Sequence, residues 1–155
     1  MPAARVMPAD LSGCGVRIGS LDGFAVAVTE AGELILRMPT RSAEFRRRLE
    51  SWGCVIVPAR LPMVRQARAH GTRFQLKVWQ ACQRIRPGQT ATYGDLAKTV
   101  GCRSAQAVGS ALGANPLAIL IPCHRVVSAS GQGGFAWGLP RKARWLKAER
   151  DGLAG

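Results

Sequence analysis

"TATYGDLAKTVGCRSAQAVGSALGANP", residues 90–116, decides how the C-terminal half of this 155-residue chain folds. Thr92 followed three residues later by Asp95 has the form of a capping box, which predicts a helix from Tyr93 to about Val100. Gly101 breaks it, and a second helix is expected from Ser104 to about Ala114. Two short helices around a glycine turn outline a helix-turn-helix. The second helix is made largely of small residues: Ser104, Ala105, Ala107, Gly109, Ser110, Ala111 and Gly113. By itself that pattern favours close helix–helix packing. A smooth helix can equally press against a sugar–phosphate backbone.

Upstream, "TRFQLKVWQACQRI" sets Phe74, Val78, Trp79 and Cys82 at helical spacing, with Thr72 as the cap and Pro87-Gly88 as the terminator. Trp79 reads as core. Charge is divided unequally along the chain. Residues 1–59 carry seven Lys/Arg against six Asp/Glu, whereas residues 60–155 carry fifteen against three, within a total of +13. Such a field favours a polyanion through counterion release and steering, although solvated arginine faces would give the same count.

Downstream, "NPLAILIPCHRVV", residues 115–127, ends an apolar run at Pro-Cys-His-Arg. Cysteine reacts as its thiolate, and a neighbouring histidine can accept the thiol proton when a third group orients it. A Cys-His pair alone is weak, because buried cysteines are often inert. Context strengthens it. Pro122 fixes the backbone before Cys123, Asn115-Pro116 makes a turn, and "SASGQGGFAWGLP" supplies glycines that let the backbone approach a ligand. "RKARWLKAERDG" then returns as a basic helix reaching Glu149.

"IPCHRVV", preceded by "AVGSALGANP" and followed by "GGFAWGLPRK", closely resembles the O6-alkylguanine-DNA alkyltransferases, or methylated-DNA–protein-cysteine methyltransferases, in a form close to the C-terminal half of the Ada type. The likeness covers roughly residues 71–149. It implies an α/β (α+β) chain with a small ribonuclease-H-like sheet subdomain over residues 1–68 and a mostly helical, winged-helix-like DNA-binding subdomain over residues 69–155. It implies direct reversal of O6-alkylguanine, and of O4-alkylthymine, in duplex DNA: one alkyl group moves irreversibly to Cys123 after the base is flipped out. His124 would be the base through a bridging water, Glu149 would hold its tautomer, and Tyr93 would rotate the phosphate and donate to guanine N3.

The resemblance also places Val126 and Cys123 carbonyls on the exocyclic amine, the Ala136 amide on O6, and Phe135 as a wall, with Gly134 beside them. Asn115 would brace the Cys123 turn and Arg125 would tie that turn to the domain. Thr92, Tyr93, Arg103, Ser104, Gln106, Ala107, Gly109 and Ser110 would face DNA through its minor groove with little sequence preference. No cofactor and no metal are implied. The expected state is a monomer, with cooperation along DNA left open. The chain departs from the family at Gln106, where an arginine is common; Arg103, one turn earlier, could supply the cation. The loops before Gln106 and before "GGF" are each one residue shorter than expected.

The N-terminal half reads as short strands over residues 16–38, broken at "LDG" and "EAGE". A helix follows over "RSAEFRRRLESWG", with Ser42 as its cap and Phe45 and Leu49 inward, then a strand over "CVIV". Five cysteines, an odd number without a CxxC pair, argue against a disulfide framework, and nothing in the spacing of Cys14, Cys54 and His70 predicts a metal site. "MPAARVMPADLSG" lacks the apolar core of a signal peptide, which leads to the expectation of a cytoplasmic protein without a membrane span. Three alternatives remain: a non-catalytic alkyltransferase-like lesion reader, a helix-turn-helix regulator, and a Cys-His hydrolase. Cys123, His124 and Glu149 count against the first, a second helix of Ala, Gly and Ser against the second, and the missing oxyanion motif against the third.

Overall fold

The computed structural model describes residues 4–6, 11–131 and 133–152, with side chains for all but 4–6. Most of the N-terminal stretch read for targeting lies outside them. The chain divides into two compact units: Met1–Gly71 with Pro116–Ala118, and Thr72–Asn115 with Ile119–Gly155.

The first unit is built on the antiparallel meander β2 (Gly15–Leu21), β3 (Phe24–Thr29) and β4 (Glu33–Met38). The "LDG" break is a two-residue hairpin turn, with Asp22 and Gly23 both at positive φ, the conformation that continues the strand twist. Val26, Ala27, Val28, Leu34, Ile35 and Leu36 are fully buried, so the central strands read as continuous apolar runs. Parallel strands extend the meander. β5 (Val55–Ile56) adds to β2, β6 (Gln66–Ala69) to β4, and β1 (Ala4–Val6) to β6, giving the order β1-β6-β4-β3-β2-β5.

Helix α1 (Ala43–Ser51) buries Phe45 and Leu49, each worth about 1.5–3 kcal/mol of transfer from water. Ser42 does sit at its N-cap, but its side chain makes no capping bond. Glu44, in the first turn, instead complements the helix dipole and pairs with Arg47 and Arg48. The apolar run before Cys123 is divided between the units. Leu117 pairs with Arg37 of β4, and the Arg37 guanidinium donates to the Ala118 carbonyl at 2.9 Å.

In the second unit, α2 (Arg73–Gln83) starts at a full capping box between Thr72 and Gln75. It buries Val78, Trp79 and Cys82, and the Trp79 indole donates to the Ala111 carbonyl at 2.8 Å. The helix ends before Pro87. Arg84 and Ile85 close it with tight bonds to Ala81 and Cys82, leaving the Ile85 carbonyl to accept from Arg125. Thr92 and Asp95 form the expected capping box of α3 (Tyr93–Val100). Gly101, at φ 72°, stops that helix, and Ser104 caps α4 (Ala105–Gly113) by accepting from the Ala107 amide. α2, α3 and α4 pack on one another, and β7 (Ala91–Thr92) pairs with β8 (Val126–Val127) in parallel. α5 (Leu139–Arg150) completes the unit. No helix among the described residues is long and apolar enough to cross a membrane.

Candidate active site

Cys123 opens a one-turn 3-10 helix, Cys123–Arg125, that places three reactive or charged side chains out of water: Cys123 is 5% exposed, His124 1% and Arg125 9%. Such a turn survives only if its polar groups are satisfied. Asn115 does so on one side. Its side-chain amide donates to the Ile121 carbonyl at 2.7 Å and to the Cys123 sulfur at 3.1 Å. Glu149 of α5 does so on the other. Its carboxylate accepts two short bonds, from His124 Nε2 at 2.7 Å and Arg125 Nη2 at 2.7 Å, and Arg125 Nε reaches both of its oxygens at 3.1 and 3.0 Å. Arg125 also donates to the Ile85 carbonyl at 2.6 Å. Ile119, held at φ 69°, turns the chain toward this site, a conformation that costs a β-branched residue about 1–3 kcal/mol.

The Glu149 contact fixes a tautomer. A carboxylate only accepts, so Nε2 carries the hydrogen and Nδ1, buried without a hydrogen-bond partner among the described residues, keeps its lone pair. Burial pushes the His124 pKa down and the Glu149 bond only partly offsets this, so the imidazole is neutral. Burial pushes Glu149 the other way, yet its bonds from Arg125 and His124 outweigh that and hold it below the usual carboxylate range.

Cys123 is pushed up to about 11 by burial, against the opposing pull of the Asn115 bond and the Lys142 charge. The resting sulfur is therefore a thiol. Low-dielectric surroundings win over a histidine that is itself uncharged.

Lys142 is the residue that sequence reading missed. Within the basic run "RKAR" it looks solvated, yet it is fully buried, donating to the Val126 carbonyl at 2.6 Å and the Gly134 carbonyl at 3.0 Å. The available signal was spacing: Lys142, Trp145 and Glu149 recur at three and four residues along one face of α5. Burial lowers its pKa while the neighbouring Cys123 raises it. Arg125, Lys142 and Glu149 together leave a net charge of +1 beside a neutral Cys123, and ionising the sulfur neutralises the site. Trp145 was missed as well; its ring meets the His124 imidazole edge-on at 5.5 Å.

Above the sulfur lies a cavity of about 460 Å³, lined among others by Cys123, Tyr93, Phe135, Ala136, Gln106 and Gly109. That volume lies within the span of small-ligand sites, roughly 300–1,000 Å³. Gly134 and Ser110 also line it. The Tyr93 hydroxyl donates to the Gly134 carbonyl at 3.2 Å, so tyrosine and lysine fasten the Gly-rich loop at one oxygen. Gly133 is obligatory there. It sits at φ 73°, and a Cβ would come within 2.7 Å of the Tyr93 ring.

The other expected residues fall in two places. Asn115, Val126, His124 and Glu149 are buried and are not cavity walls, and the Val126 carbonyl proposed for base reading holds Lys142. Thr92, Arg103, Ser104 and Ala107 surround the starts of α3 and α4, where Thr92 and Ser104 use their hydroxyls as caps. Arg103 is exposed and makes no ion pair among the described residues. No group of three His, Cys, Asp or Glu among the described residues could hold a metal ion.

A family model described as "6-O-methylguanine DNA methyltransferase, DNA binding domain" matches residues 73–151. Over 82 residues the chain is 50% identical to the methylated-DNA–protein-cysteine methyltransferase of Mycobacterium leprae, covering 52% of this chain and 50% of that protein. Over 83 residues it is 48% identical to the bifunctional transcriptional activator/DNA repair enzyme Ada of Escherichia coli, covering 52% of this chain and 23% of Ada. The aligned segment thus spans about half the length, or less, of these curated relatives. Among solved structures, OGT of Mycobacterium tuberculosis in complex with DNA superposes with a TM-score of 0.66 at 26% identity, covering 88% of this chain and 93% of that one.

Proposed function

The chain belongs to the 6-O-methylguanine DNA methyltransferase family, and from that premise we propose that it repairs O6-alkylguanine, and O4-alkylthymine, in duplex DNA by stoichiometric transfer of the alkyl group to Cys123. The carrying observation is a single buried sulfur that lines a base-sized cavity and sits beside a histidine whose tautomer a carboxylate fixes. The Cys123 proton passes through a bridging water to Nδ1 of His124. The sulfur attacks the alkyl carbon in line, the S–C bond forms as the C–O bond breaks, and guanine leaves as an anion that a hydrogen bond from the Tyr93 hydroxyl to N3 stabilises and that solvent then protonates. A thioether is a poor leaving group, so each molecule acts once.

The thiol proton leaves only when the base is seated. Glu149 stabilises the imidazolium that results, and Lys142 the thiolate. Flipping the nucleotide into the cavity exposes its reacting carbon. The small residues of α4 let that helix lie against the minor groove, with phosphate contacts dominating and little sequence preference.

The test is intact mass and peptide mapping after mixing with a duplex holding one O6-methylguanine. One methyl group on Cys123 with guanine restored is the expected result. Tight binding without a mass change would make the protein a lesion reader.

A further inference from the structure

We propose that Cys14 and Cys54 form a thiol–disulfide site, a dithiol in the first unit that a small-molecule disulfide oxidises to an intramolecular bond joining the starts of β2 and β5.

The strand register carries this. β2 and β5 run parallel with Gly15 opposite Val55 and Val16 opposite Ile56, so Cys14 and Cys54 occupy the next rung outward. Backbone bonds flank that rung on both sides: the Gly13 amide donates to the Gly53 carbonyl at 2.8 Å, and the Val55 amide to the Cys14 carbonyl at 2.8 Å. Neighbouring strands lie about 4.8 Å apart, and a disulfide needs Cα atoms within roughly 4.4–6.8 Å.

The two chains approach this rung in the same way. Each cysteine follows a glycine in the left-handed region, Gly13 at φ 74° and Gly53 at φ 72°. At Gly53 even a Cβ would stand 3.2 Å from the Ser12 backbone, so the two chains are in close contact here. Both cysteines lie just outside the regular ladder, where the backbone has more freedom to adopt disulfide geometry. Both are reduced and only partly buried, whereas Cys82 and Cys123 are buried.

The thiols also sense each other electrostatically. Burial and then the charge of Cys14 push Cys54 up to about 11. Cys14 is raised too, by burial and by Glu33 and Glu30, but less far, which makes it the attacking thiolate. Cys14 loses its proton and attacks one sulfur of the small disulfide, releasing one thiol and leaving a mixed disulfide. The Cys54 thiolate then displaces the second thiol. Two protein thiols are oxidised, and one small disulfide is reduced to two thiols.

The experiment incubates the full chain with oxidised glutathione at about pH 8.5, near the ordinary thiol pKa, blocks remaining thiols with iodoacetamide and digests without reduction. Joined Cys14 and Cys54 peptides are expected. The oxidised protein should melt roughly 5–10 °C higher, reversibly with reductant. In Cys54→Ser, glutathione should remain on Cys14. Separate alkylated peptides from the wild type, or glutathione persisting on its Cys14, would overturn the proposal.

Discussion

Cys82 and Cys123 are both buried thiols of the second unit, and burial raises the pKa of both. Cys82 is buried on the inner face of α2, and burial, then the neighbouring Cys123, raise it well above the ordinary value, with Arg125 pulling the other way. Cys123 is held to about 11 because Asn115 donates to its sulfur and Lys142 stands nearby. The proposed acceptor, Cys123, therefore differs from Cys82 in the hydrogen bond that Asn115 gives its sulfur. Exposure and burial do not separate the two.

The largest effect should come from exchanging the thiols separately. Cys123→Ser abolishes methyl transfer while leaving DNA binding, whereas Cys82→Ala leaves transfer and costs about 1–2 kcal/mol of stability. Mass spectrometry and denaturant melts measure the two; loss of binding in Cys123→Ser would mean that its turn is structural.

Next is pH. Alkylation of Cys123 by iodoacetamide without DNA should rise about tenfold per unit from pH 7 to 10, as its thiolate fraction grows. A plateau near pH 8 would show that the thiolate already exists at rest. The stability that Cys123 contributes is full below the unfolded thiol value and lost as pH rises through about 11. His124 and Glu149 act oppositely. Their folded pKa values are depressed, so stability should fall as pH drops below about 6.5 and further through the carboxylate range.

Glu149→Ala leaves Arg125 and His124 buried without their shared partner. It should destabilise by about 3–5 kcal/mol in urea melts, a far larger loss than at an exposed pair such as Lys147–Asp151. The smallest effects belong to the rim. Gln106→Arg should raise the duplex repair rate several-fold, and Arg103→Ala should slow repair in duplex more than transfer from free O6-benzylguanine, both read in single-turnover assays. Equal slowing in the two assays would remove Arg103 from base flipping.

Local chemistry was legible in the sequence wherever the partner lay within a few residues. Thr92 with Asp95 and the Gly101 break gave α3 and α4 their limits, and Thr72 started α2 as expected. Ser42 shows the boundary of such reasoning. Its position was right, yet its side chain makes no capping bond. α2 ends ahead of Pro87 as expected, and what sequence reading missed is that the Ile85 carbonyl past its end accepts from Arg125, forty residues away.

By itself, then, the sequence determined the caps of α2 and α3, the hairpin turn and the basic C-terminal half, since these depend on neighbouring residue types. Only the tertiary structure decided that Lys142 is buried against Val126 and Gly134, that Leu117 pairs with β4, and that the Cys123 sulfur rests protonated. The physical reason is desolvation. The cost of taking a charge out of water depends on every group packed around it, and those groups come from segments far apart in the chain.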